Sequence, residues 1–165
     1  MDLFQAESQS DNHSMNPGDA ALVRALAGRH VVKGTAKLRL SRGAPARLSS
    51  LLDAATRLRP SDGSDPALAL LDAHAPQIEA CVDRASSEDG MRLPAWNGMP
   101  RIQALLAALC AGDSSITEQR LMDAVAMLDS LQPMKQDELW AVPAALRVVV
   151  SEGLMVIIWK MIISP

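Results

Sequence analysis

The chain of 165 residues has a net charge of −3, contains no Tyr and has a single Phe. Its apolar residues are mostly Ala, Leu, Val, Ile and Met; Ala, Leu and Met favour helices, whereas strands favour aromatic and β-branched residues. We therefore expect one all-α domain, an irregular bundle of about five to six helices. Basic residues are concentrated in residues 20–59, which contain no aromatic residue to stack on bases, so a nucleic acid is not expected as a partner.

The start of the chain has the composition of a tail. Residues 1–17 are polar, with Asn, Ser and Gln scattered among them. We predict a disordered tail over residues 1–17 and a single helical domain over residues 18–163. The tail also lacks the apolar stretch of a secretory signal peptide, which predicts a cytoplasmic location.

The small net charge conceals an asymmetry along the chain. Residues 20–59 hold nine Lys and Arg residues against one acid, Asp53, whereas residues 60–165 hold seven against fourteen acids. A basic block can attract an anionic surface. We interpret the asymmetry as a charge match between the two halves of one domain.

One part of the basic block is ambiguous. The alternation of Ala36, Leu38 and Leu40 is typical of a strand, but the sequence shows no evident partner strand, and an isolated strand is not stable. We therefore predict a basic loop around residues 29–44.

Helical periodicity accounts for most of the remaining chain. Pro76 falls inside the third predicted helix, where we expect a kink or a restart, and Pro143 is expected to bend the first turns of the last helix. The segment before the fourth helix is predicted to be a long loop, because it is rich in Gly and Pro. The predicted helices lie near residues 19–28, 45–58, 65–87, 101–111, 115–132 and 136–163.

No arrangement of reactive side chains indicates a catalytic centre. His13, His30 and His74 are far apart, and none lies in a metalloprotease frame. Cys81 and Cys110 stand alone in apolar helical patterns, which predicts two buried free thiols and no metal site. We therefore expect no enzyme activity, no cofactor and no metal.

The large rings and the paired acids have structural interpretations. Trp96, Trp140 and Trp159 are predicted to be packing anchors, with a sugar-binding platform as the alternative for Trp96. The acids Asp137 and Glu138 open a predicted helix, where negative charge complements the helix dipole.

Several blocks over residues 25–160 resemble, in order and rough spacing, the N-terminal region of the cyclic β-1,2-glucan synthases. These are large bacterial inner-membrane proteins that join a glycosyltransferase to a phosphorylase-like domain. The blocks are Arg29-His30-Val31-Val32, Leu70-Leu71-Asp72, Leu93-Pro94, Met99-Pro100-Arg101, Asp113-Ser114, Glu138-Leu139-Trp140-Ala141, Pro143, Leu146-Arg147 and Glu152-Gly153-Leu154. The departures include Met99 for the family's Tyr, and Ala73 and Ala75 for its Asn and His.

The resemblance implies a helical accessory region without the family's catalytic domains, in the form of a divergent or truncated copy. The residues that would carry the motifs are Asp72, Arg101, Glu138, Trp140, Pro143, Arg147 and Glu152.

Two functions are compatible with these patterns. The first is a non-catalytic scaffold, cytoplasmic or peripheral to the inner membrane, that docks on a glycosyltransferase or another membrane subunit through the apolar segment 153–163. A membrane surface is the alternative partner of that segment, although Lys160 and Glu152 argue against a spanning helix. The second function is a free-standing adaptor or chaperone-like protein that binds a helix through Met-rich faces. Its methionines would be Met122, Met127, Met155 and Met161.

Overall fold

A computed structural model describes residues 15–58, 65–88, 90–112 and 115–163. Within these ranges the chain is predominantly helical, which confirms the predicted class, and it also contains a small three-stranded sheet. Residues 1–14 of the predicted tail lie outside the described residues. The elements are α1 (Pro17–Arg29), β1 (Thr35–Lys37), α2 (Ala44–Leu58), α3 (Pro66–Ser87), β2 (Arg92–Trp96), β3 (Met99–Pro100), α4 (Arg101–Cys110), α5 (Glu118–Leu131), α6 (Gln136–Trp140) and α7 (Val142–Ile163).

The last helix is the centre of the bundle. α7 packs against α2, α3 and α4, and α2 and α3 also pack against each other. α1 packs against α5 and α4 on another side of the molecule. The side of α7 that faces the core contributes the buried residues Ala144, Ala145, Val148, Val149, Ser151, Met155 and Ile158.

Two prolines occupy different places in their helices. α3 runs through Pro76 without a restart, because packing against α2 and α7 compensates for the lost hydrogen bond. Near Pro143, by contrast, the predicted single helix is divided, since α6 ends at Trp140, Ala141 forms a turn and α7 begins at Val142. Pro143 is the second residue of α7, where the missing N–H would have had no partner within the helix.

The predicted basic loop around residues 29–44 contains a strand, so the expectation of no partner strand was wrong. β1 pairs antiparallel with β2, and Ala36 lies opposite Leu93. β2 in turn pairs with β3 through a two-residue turn at Asn97 and Gly98, whose φ angles are 50° and 82°. These positive angles are typical of the tight turns that join antiparallel strands. β2 and β3 lie within the segment before α4 that was predicted to be a long loop, so that prediction was also wrong.

The central strand β2 contains Pro94, which is tolerated because the hydrogen-bonded pairing of β2 with β3 ends before it. Ala95 donates its N–H to the carbonyl of Gly34 on the β1 side. Since N–H groups alternate along a strand, the missing N–H of Pro94 would point to the opposite edge. On that edge β3 ends at Pro100, opposite Ala95, so no ladder bond is lost.

Candidate functional site

The C-terminal half of α7 has an uncovered apolar face. Val156, Ile157, Trp159 and Ile163 are each more than half exposed, and we refer to these four residues as the α7 apolar face. A helix that is apolar on all sides is normally buried on all sides. α7 is apolar on almost all sides, with Lys160 as the charged exception near this face. Its exposed half therefore has the composition of a contact surface.

A groove runs between α2 and this part of α7. Its volume is about 620 Å³, and its walls are mainly apolar. The α2 wall is formed by Ala46, Arg47, Ser50, Leu51 and Ala54, and the α7 wall by Glu152, Met155, Val156, Trp159 and Ile162.

Polar contacts hold the rim of the groove. The N–H of Ser41 donates a hydrogen bond to Oε1 of Glu152 at 2.7 Å, and Arg47 donates to the Ser41 hydroxyl. The segment before α2 is thereby attached to α7. Arg39 and Arg42 are exposed on the same segment.

A buried ion pair connects the start of α4 to α6. Arg101 and Glu138 are 3% and 0% exposed, and Nε of Arg101 donates to Oε1 of Glu138 at 2.6 Å. Nη2 of Arg101 donates to Oε2 at 2.7 Å, and the N–H of Lys135 donates to the same oxygen at 2.9 Å. Two residues that the resemblance identified separately are thus in direct contact. Because both are buried, the pair holds the connection between α5 and α6 against α4.

Gln132 links three elements, a role that the sequence did not indicate. Its side-chain N–H groups donate to the carbonyls of Ala27 and His30, both at 2.8 Å. Its side-chain oxygen accepts a hydrogen bond from the indole N–H of Trp96 at 3.2 Å, and its main-chain carbonyl accepts one from Arg101 at 3.2 Å. Gln132 therefore connects α1, β2 and α4.

The three tryptophans differ in burial. Trp96 is 2% exposed and stacks on His30 with ring centroids 5.5 Å apart, as predicted for a packing anchor. Trp140 is 72% exposed, so its predicted role as the anchor of its helix was wrong. The short helix α6 is fixed instead by Glu138, which occupies its buried side. Trp159 is half exposed and borders the groove.

The remaining motif residues lie apart from one another. Arg147 on α7 donates to Glu88 at the end of α3, and this hydrogen bond raises the pKa of Arg147 above its ordinary value. Asp72 is exposed on α3. Glu152 is at the groove rim and Pro143 in the first turn of α7, so the structure does not gather the seven predicted residues into one site.

The ion pair between Arg120 and Asp19 was not predicted. Nε of Arg120 donates to Oδ2 of Asp19 at 2.6 Å and Nη2 donates to Oδ1 at 2.8 Å, joining α5 to the first turn of α1. This hydrogen bonding outweighs the effect of burial and lowers the pKa of Asp19. The acid three positions into α1 and the Arg three positions into α5 carry no sequence signal that pairs them.

The two cysteines are free and half-buried, so the prediction of buried thiols is met only in part. Partial burial raises the pKa of the Cys110 thiol. Sγ of Cys81 lies 3.6 Å from the hydroxyl oxygen of Ser151. His74 is exposed, and His13 lies outside the described residues. Within the described ranges no group of His, Cys, Asp and Glu side chains is arranged to hold a metal ion.

The methionines of the adaptor hypothesis do not share one surface. Met122 is exposed, Met155 is buried, and Met127 and Met161 pack against the core. In the part of the chain that is described, no helix has the length and apolar content needed to cross a bilayer.

The sequence matches no protein-family model, and neither the curated proteins nor the solved structures contain a significant match to the chain. The resemblance to the cyclic β-1,2-glucan synthases therefore stays a prediction.

Proposed function

We propose that this protein is a non-catalytic helical docking module that binds a polypeptide along the α7 apolar face. The observation that carries the proposal is the exposure of Val156, Ile157, Trp159 and Ile163 beside a groove. Contiguous exposed apolar surface of this kind marks interaction sites.

The groove supports a polypeptide as the ligand. Its apolar walls are long enough to follow three turns of α7, from Glu152 to Ile162, and such a surface is suited to the apolar side of another helix. Its rim carries both signs of charge, on Arg47 and Glu152, which suits polar side chains at the edge of a bound helix.

If the resemblance to the cyclic β-1,2-glucan synthases reflects a shared function, the module would be an accessory region in glucan synthesis. Its partner would then be a glycosyltransferase subunit at the inner membrane. The chain itself would not use the sugar nucleotide. Purified protein incubated with UDP-glucose is accordingly expected to release no UDP above a heat-treated control, and sustained turnover would overturn the non-catalytic assignment.

Site-specific photo-crosslinking in living cells tests the docking surface. A photoreactive amino acid replaces Ile157 in one variant and Leu70 in the control. Both positions are highly exposed apolar sites on helices, but Leu70 lies on α3 away from the groove. We expect a discrete covalent adduct from position 157 and none from position 70. Equal labelling at both positions, or no adduct at position 157, would refute the proposal.

A further inference from the structure

We propose that the polypeptide bound by the α7 apolar face is a second copy of this chain, with the two α7 helices antiparallel and related by a two-fold axis at Val156. This inference rests on the proposed docking function and names its partner.

The face has the spacing of a helix–helix seam. Val149, Val156 and Ile163 are spaced seven residues apart. Glu152 and Trp159 are also seven residues apart and lie between them in the sequence. Such a seven-residue repeat aligns side chains along one side of a helix, where a second helix can pack. Val149 is already buried within the bundle, whereas Val156 and Ile163 are more than half exposed, so the seam is uncovered in its C-terminal half.

The seam is complementary to itself when two copies run antiparallel. Around a two-fold axis at Val156, residues equally far from it on either side meet, so Lys160 of one copy lies opposite Glu152 of the other. This pairing places opposite charges together twice in one symmetric contact.

The same axis places the large indole of Trp159 opposite Gly153 of the second copy. Gly153 lies within α7 and is exposed, and a Cβ added there would have no other heavy atom within 4 Å. A glycine inside a helix is less favourable than an alanine, because it loses more backbone freedom on folding. Among the described residues of one copy none occupies this open space, whereas an approaching Trp159 would fill it.

The groove explains how a second helix is received. A copy of α7 lying along Val156 enters the space between α7 and α2, and α2 of each copy then flanks the partner helix. The result is a four-helix arrangement of α2, α7 and their copies, a stable way to bury helix faces. The carboxylate of Glu152 beside the apolar residues favours a protein partner over a lipid surface, since burying an acid in lipid is costly.

Analytical ultracentrifugation of the full chain tests the inference. We expect a concentration-dependent species of twice the chain mass of 17.6 kDa. Lys160→Glu places two acids together and is expected to weaken self-association about tenfold or more. Glu152→Lys does the same with two bases, and an equimolar mixture of these two variants is expected to recover a heterodimer. Lys33→Glu, on an exposed loop elsewhere, is the control and is expected to leave the dimer unchanged.

Two further variants fix the register. Gly153→Leu has open space within one copy, so the fold is retained, but it obstructs Trp159 of the second copy and is expected to yield a monomer. Val156→Cys lies on the axis and is expected to form an intermolecular disulfide on oxidation. Leu70→Cys, the exposed apolar position on α3 away from the groove, is the matched control. The unmodified chain shows whether Cys81 or Cys110 forms a disulfide by itself.

The outcomes separate the two proposals. A chain that stays monomeric while position 157 crosslinks to a different polypeptide overturns the second copy as partner and leaves the docking function standing. A monomer that binds anionic vesicles and forms no polypeptide adduct overturns both. A dimer unaffected by Lys160→Glu and Gly153→Leu also overturns the inference, because its contact lies elsewhere.

Discussion

Arg101 and Glu138 are 37 positions apart in the sequence, yet Nε of Arg101 lies 2.6 Å from Oε1 of Glu138 inside the protein. The carboxylate also accepts the N–H of Lys135, and the guanidinium donates to the carbonyl of Pro133 at 2.9 Å. Both charges are therefore satisfied without water. Since the contact joins the first residue of α4 to α6, it holds the connection between α5 and α6 against α4.

Glu138→Gln is expected to destabilise the protein by roughly 3–5 kcal/mol, because it leaves the charge of Arg101 buried without a counter-ion. Urea unfolding followed by circular dichroism measures the loss. Asp137→Asn, the exposed neighbouring acid on α6, is the control and is expected to cost less than about 1 kcal/mol. Replacing both partners, Arg101→Met with Glu138→Leu, is expected to recover part of the loss. Similar midpoints for Glu138→Gln and Asp137→Asn would contradict the assignment.

Asp19→Asn is expected to lower the free energy of unfolding by roughly 1–3 kcal/mol near neutral pH, since it weakens two hydrogen bonds from Arg120. The pKa of Asp19 is lowered in the folded state from 3.8, so the ionised side chain stabilises the fold above that pH. Its contribution is lost as the pH falls through the folded pKa.

The difference between wild type and Asp19→Asn is therefore expected to stay constant between about pH 7 and about pH 5 and to shrink as the pH falls below 3.8, as measured by urea titrations at each pH. Asp53→Asn, an exposed acid on α2, serves as the control with a small difference throughout. A gap that widens on acidification would refute this account of Asp19.

Gly98→Ala is expected to destabilise the protein by about 1–2 kcal/mol, because φ is +82° there and a Cβ is strained in that conformation. Gly28→Ala is the matched control. Gly28 lies in α1 with nothing near its Cβ position, so alanine is expected to stabilise the helix by up to about 1 kcal/mol. Thermal unfolding of both variants checks the opposite signs, and stabilisation by Gly98→Ala would exclude the tight turn.

Trp96→Ala is expected to cost about 3–5 kcal/mol, whereas Trp140→Ala is expected to change stability by less than about 0.5 kcal/mol. The difference follows from burial, since Trp96 at the end of β2 is buried and stacks on His30, whereas Trp140 faces solvent. Denaturant unfolding of the two variants provides the comparison. A loss of several kcal/mol in the free energy of unfolding for Trp140→Ala would show instead that Trp140 anchors α6.

Apolar periodicity predicted most of the helices close to where they lie. This prediction succeeded for α2, α3, α4 and α5, because the buried side of an amphipathic helix is visible in the sequence as apolar residues spaced three or four positions apart. The hairpin was missed because Pro94 and Pro100 are usually breakers, and only the place where β3 ends makes Pro94 acceptable. The partner of β1 could not be found from local pattern, since the pairing joins Ala36 to Leu93 across two helices.

The sequence by itself determined the helical class and the apolar composition of α7, and it singled out Arg101 and Glu138 only separately, as residues of a family resemblance. Only the tertiary structure decided that these two charges meet, that Trp140 is exposed, and that α2 leaves one side of α7 uncovered. The physical reason is that composition and periodicity are local properties of a segment. Which face of a helix is buried, and which charge finds a partner, depends on the elements that packing brings beside it.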